Sequence, residues 1–155
     1  MTDLAPLMSR FAAAAEAGDG AALAACFTED GVYHDVFYGD FAGRAEIARM
    51  LEEVFHRDGE DFRWDMIDPV AAGDRGYVRY LFSYRSKLPG AEGRRALFEG
   101  VAVLRLRDGL IADYDEVANA ATGLSLMGFA DARIAKFAAR QASALLARPE
   151  AARHR

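Results

Sequence analysis

The chain has 155 residues, 52% of them hydrophobic and 28% charged, enough apolar material for one packed core and too much for a disordered chain. A formal net charge of −5, with the arginines scattered, leaves no basic footprint for nucleic acid or an anionic membrane. The single cysteine, Cys26, excludes an internal disulfide, supplies too few thiols for a structural zinc site, and fits a reducing cytoplasmic compartment.

Residues 1–17 are alanine-rich, but Asp3, Arg10 and Glu16 interrupt them and no basic region precedes them, unlike a signal peptide. No apolar run approaches the roughly 20 residues that span a bilayer. Within this segment Leu4, Leu7, Met8, Phe11, Ala12 and Ala15 recur at helical spacing, closed by Gly18-Asp19-Gly20. A short helix is predicted over roughly 21–27, then a turn over 28–31 and a short strand over 32–36. After a loop at 39–43, Ile47, Met50, Leu51, Val54 and Phe55 mark one face of a third helix over 44–55. Beyond Gly59 the period becomes two: Phe62, Trp64 and Met66 alternate with Arg63, Asp65 and Ile67, and Val78, Tyr80, Phe82 and Tyr84 with Arg79, Leu81, Ser83 and Arg85. A loop over 88–93 precedes a long strand over 95–107, and Asp108-Gly109 signals a tight hairpin into 110–118. Asp131 reads as the N-cap of a last helix carrying Ile134, Phe137, Ala138, Gln141 and Leu145, and 149–155 as a frayed tail. This order predicts one α+β domain over 1–148, with a curved antiparallel sheet packed on three N-terminal helices and an extra C-terminal helix.

Strand parity sends Tyr33, Asp35, Trp64, Met66, Tyr80, Phe82, Tyr84, Phe98 and Tyr114 to the inner face of the sheet, and Glu116 shares the face of Tyr114 and Ala118. The lining is mostly aromatic with phenol hydroxyls and two carboxylates, the composition of a small-molecule pocket; the alternative is that the aromatics simply fill the core. His34 has the opposite parity, and with His56 and His154 far apart in sequence no metal site is expected. The outer face mixes Arg79, Arg85, Glu99, Arg105 and Arg107 with Leu81, Val101 and Val103, suited either to a homodimer contact or to solvent. Leu124, Leu126, Met127 and Phe129 let the last helix fold over the pocket as a lid or join the dimer contact.

The sequence resembles the nuclear transport factor 2-like superfamily, specifically its polyketide cyclase (SnoaL-like) branch. The likeness rests on Ala17-Gly18-Asp19, on Phe27-Thr28-Glu29-Asp30-Gly31-Val32-Tyr33-His34-Asp35, on Phe41-Ala42-Gly43-Arg44-Ala45-Glu46-Ile47 and on Asp108-Gly109-Leu110-Ile111, together spanning roughly residues 4–119. It implies a cone-shaped α+β barrel, usually a homodimer, in a family that holds isomerases, cyclases, dehydratases, epoxide hydrolases and binders without catalysis. Within it, Asp35 matches the carboxylate that ketosteroid isomerases use to remove a proton beside a carbonyl. Their oxyanion tyrosine and aspartate fall at Phe11 and near Ala102, so steroid isomerisation by that route is not expected. Glu116 matches a pocket carboxylate of limonene-type epoxide hydrolases, whose Arg-x-Asp companion has no counterpart in Arg79-Tyr80-Leu81 or Ser83-Tyr84-Arg85.

These readings predict a small-molecule enzyme of the cyclase, isomerase, dehydratase or epoxide hydrolase kind that needs no cofactor. Asp35 serves as general base, Glu116 as second acid or base, and Tyr33, Trp64, Met66, Tyr80, Phe82, Tyr84, Phe98 and Tyr114 line the site for an apolar or carbonyl-containing ligand. The rival expectation is a binder of an apolar molecule, or a domain whose task is dimerisation.

Overall fold

A computed structural model describes residues 3–155. Helix α1 (Ala5–Ala17) buries Leu7, Met8, Phe11, Ala14 and Ala15 and stops at Gly18, whose φ of 71° only glycine adopts without strain. The Asp19 N–H donates to the Ala14 carbonyl and the Gly18 N–H to that of Ala15, so two terminal carbonyls are satisfied as the chain turns. The Asp19 carboxylate then accepts from the Ala22 N–H at 2.9 Å and caps α2 (Gly20–Ala24).

Strand β1 (Phe27–Asp35) begins earlier than the sequence suggests: residues 28–31 are not a separate turn but part of the strand, with an irregular register between Phe27 and Val32. It pairs antiparallel with β2 (Gly39–Ala42), and the chain continues through α3 (Arg44–Arg49), a π-helical stretch (Met50–Phe55) and α4 (His56–Asp58). The expected single α-helix over 44–55 is thus half π-helix, a widened winding that buries Met50, Leu51, Val54 and Phe55 together.

Strands β3 (Gly59–Ala72), β4 (Arg75–Ser86), β5 (Arg95–Arg107) and β6 (Leu110–Ala118) form an antiparallel meander, and β1 joins β6 in parallel, giving the order β2-β1-β6-β5-β4-β3. Asp108 and Gly109, with φ of 53° and 76°, make the expected tight hairpin. Two register shifts in β3, beside Asp61 and Asp68 (φ 52° and 51°), bend this long edge strand. On β5 the alternation is clean: Ala96, Phe98, Gly100, Ala102, Leu104 and Leu106 are buried, while Leu97, Glu99, Val101, Arg105 and Arg107 face solvent.

After β6 comes a helix the sequence reading missed, α5 (Ala120–Leu126), followed by α6 (Asp131–Ala147). Asp131 is the first residue of α6 rather than its cap; Ala130 stands at that position, without a side-chain cap bond. No residue of α6 is fully buried, and Phe137, its ring tilted against that of Phe37 with centroids 5.1 Å apart, ties it to the end of the sheet. The segment expected to fray is a 3-10 helix, Pro149–His154, held in part by burial of Ala151.

Gly123 explains how α5 sits so close to β5. A Cβ there would lie 2.0 Å from the Phe98 ring, so Gly123→Ala forces the ring or the helix aside. Such overpacking typically costs about 1–3 kcal/mol, which chemical denaturation of the variant should reveal as a lower midpoint with an unchanged slope.

Candidate functional site

The main core and a smaller one under α5 are both apolar, and between them the inner face of the sheet leaves a narrow cavity of ≈ 50 Å³. Its walls come from β1 and the turn after it (Tyr33, Asp35, Val36, Phe37, Tyr38), from Phe55 and Asp58, and from β3 to β6 (Phe62, Trp64, Tyr80, Phe82, Tyr84, Phe98, Glu116, Ala118). Asp35 and Glu116 therefore border one space. So do Tyr33, Trp64, Tyr80, Phe82, Tyr84 and Phe98, as strand parity expected. Met66 and Tyr114 do not. Met66 packs into the main core, and Tyr114 lies fully buried behind Tyr33, its ring 4.4 Å from the Tyr33 ring and 5.3 Å from that of Phe11.

The two carboxyls are held differently. Asp35 ends β1, where the chain turns sharply, and one of its oxygens accepts from the backbone N–H groups of Phe37 (2.9 Å) and Tyr38 (3.0 Å). Burial pushes its pKa above the usual aspartate value, and those two amides pull it back by stabilising the charged form. Among the described residues no backbone N–H donates to the Glu116 carboxyl. Its Oε2 accepts from the Tyr80 hydroxyl at 2.7 Å and, more distantly, from Tyr114 at 3.5 Å, while Oε1 makes no hydrogen bond among the described residues. Burial, reinforced by the Asp35 charge and opposed by the Tyr80 hydroxyl, pushes the Glu116 pKa up to about 8. Burial and the Asp35 charge thus favour the protonated form of Glu116, while the two amides at Asp35 favour its charged form.

Small residues on β5 make this pairing feasible. Ala102 faces Glu116 across the β5–β6 ladder, and Tyr80 faces Gly100 across β4–β5. A Cβ at Gly100 would stand 2.6 Å from the Tyr80 hydroxyl, so only glycine lets the phenol reach Glu116. Burial raises the pKa of the Tyr80 and Tyr84 phenols, that of Tyr84 to about 12, so both stay protonated and act as donors. Phe11 is fully buried, its ring packed among those of Tyr114, Tyr33 and Trp64. The Trp64 indole nitrogen is the single buried side-chain nitrogen or oxygen without a hydrogen-bond partner among the described residues.

Sequence periodicity could not find Val36, Phe37, Tyr38, Phe55 or Asp58, which reach the cavity from a turn and from the irregular helix. Tyr38 donates to Asp58 at 2.6 Å and so links those two segments across the cavity's edge. His34 points to the outer face between Asp40 (2.7 Å) and Asp113 (3.2 Å). Partial burial opposes its charge, but the two carboxylates outweigh it and raise its pKa. Among the described residues no three His, Cys, Asp or Glu side chains gather as metal ligands, and no helix is long and apolar enough to cross a membrane.

A family model for the SnoaL-like domain matches residues 8–114. Among solved structures, the fold is similar to a Catenulispora acidiphila protein of ketosteroid isomerase-like fold in complex with trimethylamine, with TM-score 0.72, 22% identity, and coverage of 80% of this chain and 93% of that one. It is also similar to IdmH of Streptomyces antibioticus, a candidate polyketide cyclase (TM-score 0.66, 18% identity, coverage 83% and 100%). An LEH-like epoxide hydrolase of M. tuberculosis superposes with TM-score 0.65 at 16% identity, covering 79% of this chain and 86% of the other. No curated protein matches the chain.

Proposed function

Because the chain belongs to the SnoaL-like domain family, whose fold serves several chemistries, we propose a function from its own site: a cofactor-independent enzyme that moves a proton next to a carbonyl of a small molecule. The observation that carries this reading is the pair of unlike carboxyls, Asp35 and Glu116, on one apolar cavity. The Asp35 carboxylate takes a proton from the carbon beside the carbonyl, and protonated Glu116, steadied by Tyr80, gives its own to the carbonyl oxygen. The product of that step is an enol. Returning the proton to another carbon isomerises the substrate, attack of the enol carbon on a second carbonyl closes a ring, and loss of a β-hydroxyl as water dehydrates it. Tyr84 and Tyr33, on the same walls, orient the oxygen.

Glu116 here stands in for the oxyanion donors absent at Phe11 and Ala102. Those absences favour the rival reading, an apolar binder without turnover. One experiment decides: incubate cyclic ketones and enones with the protein in D2O and follow deuterium entry beside the carbonyl by mass spectrometry. Exchange that Asp35→Asn abolishes supports the enzyme; saturable binding with no exchange supports the binder.

We also propose a homodimer formed through the outer face of the sheet, where Tyr77, Leu97, Val101 and Val117 are exposed around the Arg79–Glu99 ion pair. Light scattering should give twice the mass of the chain. Val117→Asp, which puts a charge on a side chain 66% exposed, should give the single mass with the fold retained.

A further inference from the structure

Resting on the pocket proposed above, we infer that its ligand is an elongated carboxylic acid whose carboxylate stays outside the cavity, against the N-terminal half of α6. The inner cavity does not end at Phe37, Tyr38, Asp58 and Tyr84. The same four residues form part of the wall of an outer chamber of ≈ 530 Å³ roofed by α6. A molecule that places a carbonyl by Glu116 and exceeds the inner cavity has room to extend into this chamber.

The chamber has an apolar floor and a cationic roof. Leu88, Leu124, Met127 and Phe129 supply the floor, and Arg133, Lys136 and Arg140 project from one face of α6. Among the described residues none of these three cations has an ion-pair partner. The carboxylate that also borders the chamber, Asp58, is already engaged by Arg57 at 2.7 Å and by the Tyr38 hydroxyl. Three unneutralised cations at one cavity mouth are notable in a chain of net charge −5, because the protein as a whole repels anions and this mouth attracts them.

The geometry favours a planar anion. The Arg133 guanidinium lies 4.1 Å above the Phe129 ring and that of Arg140 5.3 Å from the Phe137 ring. A guanidinium anchored over a ring is positioned by it, and its planar fork of N–H donors matches the two oxygens of a carboxylate. Lys136, between them on the helix, adds a point charge.

Binding of naphthalene-2-carboxylate and of its neutral amide, which share one skeleton, tests the assignment by titration calorimetry at pH 7. The acid should bind about tenfold more tightly at low salt, the scale of a few partly solvated charge contacts, and the margin should shrink as salt is raised. The variant Arg133→Gln/Lys136→Gln/Arg140→Gln changes only exposed positions, and it should lose the margin while binding the amide as before. Equal binding of acid and amide by the wild-type protein overturns the inference and leaves the inner pocket intact. Failure of both to bind overturns the inference and the pocket reading together. A tenfold advantage of 2-naphthyl phosphate over the carboxylate also overturns it, in favour of a phosphorylated ligand.

Discussion

Glu116→Gln is expected to stabilise the folded protein by several kcal/mol at pH 8 and to leave it nearly unchanged at pH 4. The Glu116 carboxyl titrates near 4.5 when the chain is unfolded and is pushed up to about 8 in the fold, first by burial and then by the Asp35 charge. Between those two values the unfolded chain has released a proton that the native state keeps. Stability therefore falls as pH rises from about 4.5 to about 8 and is flat beyond. Glutamine has no proton to lose, so the fall disappears. Three to four pH units correspond to roughly 3–5 kcal/mol, the lower figure allowing for water in the cavity. Glutamine also keeps an oxygen that accepts from Tyr80, so the 2.7 Å bond survives the change. Denaturant titrations of both proteins from pH 4 to pH 9 measure the effect. Parallel stability profiles would mean that Glu116 is ionised in the fold.

Asp35→Asn is expected to lower proton exchange into a carbonyl substrate by a factor of roughly 10²–10⁴, the usual contribution of a positioned base, with the fold retained. Asparagine presents one oxygen where the carboxylate accepts from Phe37 and Tyr38, so the turn after β1 persists. What it lacks is a lone pair basic enough to take a proton from carbon. The substitution carries a second signature. The Asp35 charge is the second-largest cause of the raised Glu116 pKa, so removing it lowers the Glu116 titration point below about 8. A variant that lost activity without moving that titration would point to a structural role for Asp35.

Much of this site was legible because β-strands alternate rigidly. Once Tyr33 was assigned to the inner face, Asp35 had to follow, and one run of period two gave Tyr80, Phe82 and Tyr84. Parity gives a face and not a depth, which is why Met66 packs against the main core and Tyr114 stacks on Phe11 instead of bordering the cavity. The π-helical winding was hidden because residues 47–55 carry apolar spacing compatible with an ordinary helix. Helix α5 was hidden by its own Gly123, a poor helix former that packing against Phe98 requires. Sequence periodicity does not single out Arg133, Lys136 and Arg140 of α6 as a group. Their convergence on the cavity mouth depends on where Phe137 docks the helix, against Phe37 from the far end of the chain, and local periodicity carries no record of that contact.

The proposed chemistry requires two neighbouring carboxyl groups that hold different protonation states at neutral pH. Carbon-13 NMR of protein labelled at its aspartate and glutamate carboxyl carbons, assigned with Asp35→Asn and Glu116→Gln, follows each group directly. A Glu116 signal that remains that of a neutral acid at pH 6 and titrates near pH 8, beside an Asp35 signal already ionised, is the predicted result. Both signals completing their titration below pH 5 would contradict it.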